Sequence, residues 1–220
     1  MYNDMSRGLQ PIWKKTTIED DHMQKTIELR QIAIEHYEKN RMAFAIPALH
    51  ALADQGCEDA FLYLSLIYRD GDGTEKDELK AVRYKRAWCK KIEELANTGS
   101  AIYQLRLAYM LQFGDGVLID ESRAISLFLQ IANNGCAEAQ FHLSRIYAHG
   151  NCGQCKNITL ESYWLAEATN SEWPMAIYYT ALLLLDNENH SENSRKIYKL
   201  MKRAAELGCW QAKEYLSKIS

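Results

Sequence analysis

Residues 135–150 read GCAEAQFHLSRIYAHG: a glycine, an amphipathic run and a closing glycine. Counting from Gly135, Ala139, Leu143, Ser144 and Tyr147 fall at positions four, eight, nine and twelve. Spacings of three and four put apolar and small residues on one helical face. Gly150, at position fifteen, is placed to end the helix, because glycine readily adopts the left-handed backbone of a helix C-terminus.

The same count works from Gly56, Gly99 and Gly208. Position four then holds Ala60, Tyr103 and Ala212, and position eight holds Leu64, Leu107 and Leu216. Position nine holds Ser65, Ala108 and Ser217, all small. Gly71 and Gly114 stand at position fifteen. A further copy starts at Glu172 and gives Ala176, Thr180, Ala181 and Leu184. It carries Asn187 and Asn189 where other copies have Gly71 with Gly73, or Gly114 with Gly116. Asparagine is the natural second choice where φ must be positive.

The starts at 56, 99, 135, 172 and 208 are spaced by 43, 36, 37 and 36 residues. The long interval reflects seven extra residues within 80–96, about two helical turns, which keep the same face inward. The extra residue of the third copy falls in HGNCGQC, residues 149–155. Each copy reads as two helices. The second begins near a capping residue, Asp77, Asp120, Asn157 or Asn193. Pro174 falls in the first turn of a first helix, where a missing N–H costs little.

These offsets resemble the Sel-one-like repeat, a relative of the tetratricopeptide repeat. The residues that carry the likeness include Gly135, Ala139, Gln140, Leu143, Ser144, Tyr147 and Gly150. Gly56, Ala60, Leu64, Tyr68, Gly71, Gly73, Asp77 and Ala81 fit the same pattern. Tyr103, the glycine-free fourth copy and the HGNCGQC loop depart from it. The resemblance implies an all-α fold, a right-handed superhelical solenoid of antiparallel helix pairs with one concave face. Residues 1–21 read as an irregular segment that Trp13 could anchor, and 22–220 as a single solenoid domain. Within it, 22–55 form a leading helix pair with Pro47 inside the second helix, and 208 opens a terminal half-repeat.

Composition sets limits on function. The balance of −3 offers no electrostatic basis for binding nucleic acid or an anionic membrane. No apolar run reaches the length of a membrane span, and the N-terminal MYNDMSRGLQPIWKK does not read as a signal peptide. These features imply a cytoplasmic chain whose six cysteines are reduced thiols. Cys57, Cys136 and Cys209 hold one place in three copies, which suits small buried packing residues.

HGNCGQC raises a second possibility, a zinc or redox site using His149, Cys152 and Cys155. Two cysteines make half of a four-ligand zinc site, so the primary expectation is a surface turn. Asp70-Gly-Asp-Gly-Thr lacks the glycine and glutamate of a calcium loop at the required places. No metalloprotease helix, nucleophile elbow, phosphate-cradling loop or dinucleotide fingerprint is present. The expectation is therefore a non-catalytic protein without a cofactor.

First helices such as FLYLSLIY (61–68) and AIYYTALLLL (176–185) are apolar nearly all round, so more than one face should be covered. The resemblance assigns the face opposite the core to the concave groove. There it places Asp59, Leu62, Leu66, Arg69, Tyr109, Phe113, Glu138, Phe141, Arg145, Tyr178, Leu182 and Asp186. An aromatic floor with charged rims suits a protein partner. Adaptor proteins and inhibitors of a cognate toxin fall in the implied class, and self-association through the same face is the alternative.

Overall fold

A computed structural model describes residues 21–186 and 190–219. The expected anchor Trp13, the segment before residue 21, and Asn187 and Asn189 lie outside the described residues. Among the described residues there are eleven α-helices and no strand. They are α1 (Asp21–Glu38), α2 (Met42–Asp54), α3 (Glu58–Asp70), α4 (Glu78–Asn97), α5 (Ala101–Phe113) and α6 (Glu121–Asn133). They continue as α7 (Ala137–His149), α8 (Ile158–Asn170), α9 (Pro174–Leu185), α10 (His190–Glu206) and α11 (Trp210–Ile219). The chain divides into two compact units, one ending at Trp88 and one beginning at Cys89.

In the first unit α1 packs on α2 and α2 on α3. Its core gathers Ala33, Leu49, Leu52, Ala60, Leu64 and Ile67. In the second unit each helix from α5 to α11 packs on the next. Phe128, Ile131, Leu143 and Ile146 are among its most deeply buried side chains. Short connections force neighbours to run antiparallel. Position four explains how close the helices come: Ala60, Ala139, Ala176 and Ala212 are each 0% exposed. A methyl is all that fits there, and Tyr103 in the same place stays half-exposed.

The turns are built alike. Gly71, Gly114 and Gly150 adopt φ of 78°, 72° and 70°, and their N–H groups return to Ile67, Met110 and Ile146. A second bond then fixes the entry to the next helix. Asp77 N–H donates to Tyr68 O at 2.8 Å, Asp120 to Leu111 at 2.9 Å, and Asn157 to Tyr147 at 3.0 Å. The third turn makes the same bond with one more residue inside it, so the extra residue bulges without shifting α8. The other end of each pair is as regular. Cys57, Cys136 and Cys209 donate back to Leu52, Ile131 and Ala204. Glu172 takes the glycine's role at φ 55°, and Trp173 N–H reaches Ala168 O at 2.9 Å.

Asp77, Asp120 and Asn157 are caps, accepting from Lys80, Arg123 and Leu160 N–H at 2.9, 2.9 and 3.0 Å. Asn193 is not, because α10 already begins at His190. Its helix has a cap-like residue one turn in, a position the sequence pattern does not distinguish from the start. Pro174 sits in the first turn of α9 and Pro47 lies inside α2. Helix α4 has 20 residues where α6 has 13, which accounts for the seven extra residues.

Candidate partner-binding faces

Two pairs of first helices meet alike: the residue at position three of α3, and of α7, bonds a residue 29 places earlier. In the first unit that residue is Arg30 on α1. Its Nε donates to Asp59 Oδ2 at 2.9 Å and its Nη2 to Glu58 Oε1 at 3.0 Å. Asp59 is thus held by the protein's own guanidinium. Tyr37 packs against Tyr63 with centroids 4.7 Å apart, and burial pushes the Tyr63 phenol up to about 12. Leu62 and Leu66 are half-buried on α3. Arg69 is exposed and donates to neighbouring Asp70 at 2.8 and 2.7 Å.

In the second unit the same 29-residue step joins Tyr109 on α5 to Glu138 on α7, the hydroxyl donating to Oε1 at 3.3 Å. Burial raises both groups: the phenol is pushed far above its usual range, and the carboxyl is raised while the Tyr109 bond pulls it partly back. His142 fills the space behind them. It meets Tyr109 edge-on at 4.8 Å, lies 4.4 Å from Phe128, and bonds Gln112 Oε1 at 2.7 Å. Burial lowers its imidazole to about 4. Phe113 stacks on Tyr109 at 6.4 Å and remains 46% exposed.

Between α7 and α9 the contact is aromatic. Phe141 packs on Tyr179 at 5.4 Å, and the Arg145 guanidinium lies 4.4 Å over the same ring. Arg145 also donates to His149 Nε2 at 2.5 Å. Tyr178 sits edge-on to Tyr179, and Leu182 is half-buried in the cluster that α9 shares with α10 and α11. Asp186 is exposed at the end of α9. Tyr109 and Phe113 of α5 therefore touch each other and Tyr109 bonds Glu138 of α7, while Phe141 and Arg145 of α7 meet Tyr179 of α9. Asp59, Leu62, Leu66 and Arg69 lie in the other unit.

Sequence reasoning missed the residues that complete these clusters: Arg30, His142 and Tyr179. The last two sit at position seven, between the core stripe and the outer stripe. Their periodicity marks neither face, and only the packing of one first helix on the next brings them into play.

HGNCGQC has a structural explanation. Cys152 occupies position seventeen, where other copies place Gly73 and Gly116, and takes φ 54°. Its thiol is buried and donates to Glu121 O at 3.3 Å, and burial raises its pKa. Cys155 is exposed and His149 is engaged by Arg145. Among the described residues no group of three or more His, Cys, Asp or Glu is arranged to hold a metal ion. Nor, among them, is any helix long and apolar enough to cross a membrane.

The Sel1 repeat model matches residues 59–90, 101–136, 137–159 and 174–209. That is more than half of the chain, which belongs to the Sel1 repeat family. Chitin synthase regulatory factor 3 of Schizosaccharomyces pombe is 30% identical over 118 residues, 51% of this chain and 13% of the relative. The exopolysaccharide production negative regulator of Rhizobium leguminosarum bv. viciae is 25% identical over 166 residues, 72% of this chain and 62% of the relative. The chain thus spans less than two thirds of either protein. Among solved structures, a Sel1 repeat protein from Oxalobacter formigenes superposes with a TM-score of 0.60 at 20% identity, covering 92% of this chain and 81% of that one. A protective antigen of uropathogenic Escherichia coli with an SLR fold gives 0.50 at 21% identity, covering 88% and 49%. These likenesses establish the fold, an α-solenoid of Sel1 repeats.

Proposed function

We propose that the chain is a non-catalytic protein-interaction module, an adaptor or an immunity-type inhibitor, that holds a protein partner on the face formed by α5, α7 and α9. Sel1 repeats and the regulatory names of both curated relatives fit an interaction role. One observation carries the placement: Phe113, a large aromatic residue stacked on the half-buried tyrosine that bonds Glu138, is left 46% exposed. Aromatic anchors framed by polar groups dominate binding energy at protein interfaces. Tyr178, Leu182 and Asp186 extend the face along α9, while Asp59, Leu62, Leu66 and Arg69 form a separate candidate face on α3 in the other unit.

The test is capture of the partner from the native source by the full chain, followed by variants. Tyr109→Ala and Phe141→Glu are expected to weaken capture by roughly thirtyfold each, the size of a hot-spot loss, with helical circular dichroism unchanged. Undiminished capture by both variants would move the site elsewhere. Loss of helicity in both would make this face core. A dimer that grows with concentration and is lost in Phe141→Glu would instead identify self-association.

A further inference from the structure

The 29-residue step between first helices is satisfied in two ways. Where α1 meets α3, the acid at position three faces an arginine, and Asp59 and Glu58 share the Arg30 guanidinium. Where α5 meets α7, the acid is Glu138 and the residue facing it is Tyr109. A phenol gives one hydrogen bond and no charge. Among the described residues no cation pairs with Glu138, and the ring behind it, His142, is neutral at physiological pH. Glu138 stands in the first turn of α7, whose N-terminal dipole favours its charge, but with one neutral donor it keeps unused acceptor capacity and has no side-chain counter-ion. The next interface carries an arginine again, with Arg145 stacked over Tyr179. Of the two interfaces described with an acid at position three, α1–α3 supplies it a guanidinium and α5–α7 supplies a phenol.

We infer that the face described above takes an arginine side chain from its protein partner, seated against the free side of the Glu138 carboxylate next to Tyr109, with Phe113 alongside its aliphatic stem. This rests on the reading of that face as the partner-binding surface. Phe113 follows Tyr109 by four residues and stacks on it at 6.4 Å, so its exposed ring lies on the same helical stripe as the phenol that bonds Glu138. Arginine suits the seat better than lysine. Its planar head bonds a carboxylate through two N–H groups and stacks on aromatic rings, and both arrangements already occur in this chain.

The probes are two libraries of fluorescein-labelled decapeptides with randomised apolar flanks. One carries a central arginine and the other carries citrulline, which keeps the shape and loses the charge. Binding is read by polarisation against the wild-type chain, Glu138→Gln, Tyr109→Arg and Phe113→Ala, each checked by circular dichroism. The expected result is arginine peptides bound about tenfold more tightly than their citrulline twins, with the preference gone in Glu138→Gln. Tyr109→Arg places the chain's own cation beside Glu138, as Arg30 stands beside Asp59, and should abolish the preference as well. If Tyr109→Arg does not fold, Glu138→Gln decides. Equal binding of both libraries, lost in Phe113→Ala, would overturn the arginine seat and leave the binding face standing. A preference that persists in Glu138→Gln would also overturn it. Binding of neither library would overturn both.

Discussion

Gly73→Ala tests the packing that also explains the cysteine loop. A Cβ on Gly73 would lie 2.2 Å from Met42 Cβ and 2.7 Å from its Cγ, at a backbone φ of +67°. Two costs follow. Alanine in the left-handed region costs about 1–2 kcal/mol. Forcing a methyl into the first turn of α2 costs about 1–3 kcal/mol more. Gly71→Ala, two residues away, is the control. Its φ is +78° but the nearest atoms to its Cβ are at 3.4 Å, so it carries the backbone cost alone. Alanine stiffens the unfolded chain equally in both variants, so that effect cancels in the comparison. Urea unfolding followed by far-UV circular dichroism should therefore place Gly73→Ala about 1–3 kcal/mol below Gly71→Ala. Measured in a Met42→Gly background, the increment caused by Gly73→Ala should lose most of that extra cost. Equal destabilisation by the two single variants would refute the reasoning. It would also remove the basis for reading position seventeen as packed against the preceding second helix, which is the reading given to Cys152.

Thiol labelling at neutral pH should modify Cys155 first, since it is the exposed cysteine, while Cys152, buried with a raised pKa, reacts slowly. Fast labelling of Cys152, or stoichiometric zinc that disappears in Cys152→Ser/Cys155→Ser, would restore the loop as a chemical site. The buried His142 makes stability depend on pH. Its folded value, about 4, lies below the unfolded value of about 6.5, so the unfolded chain binds the proton first. The contribution is complete above the unfolded value and is lost as pH falls from there towards 4. Between pH 7 and pH 5 the wild-type chain should lose about 2 kcal/mol relative to His142→Gln. Parallel pH profiles for the two proteins in chemical unfolding would refute the assignment.

What the sequence disclosed and what it withheld divide along a physical line. Gly71, Gly114 and Gly150 were legible because a left-handed turn has few alternatives to glycine, and Ala139 and Ser144 because close helix packing excludes larger residues. Glu172 was legible only through its neighbours, since a glutamate at φ 55° announces nothing by itself. The engagement of Asp59 was not legible. Arg30 lies on α1, whose apolar pattern is weak, and their pairing depends on how two helices meet rather than on either sequence. Asn193 shows the opposite error, in which a residue of the right type one turn too late imitates a cap.

The division also bears on where recognition can evolve in such a chain. Positions four, eight and nine are closed by packing: Ala139, Leu143 and Ser144 are at most 1% exposed, so changing them costs stability before it changes binding. Where α1 meets α3 and α5 meets α7, position three bonds a residue 29 places earlier, and the residues involved stay partly open. Here the same meeting place holds an ion pair at Arg30 and Asp59 and a phenol–carboxylate bond at Tyr109 and Glu138. Both leave the backbone pattern around them intact. The interface therefore tolerates different chemistry at constant geometry. If this meeting place determines recognition, exchanging the α5–α7 pair for the arginine–aspartate pair, Tyr109→Arg with Glu138→Asp, should alter what the face accepts without altering the helical content of the chain.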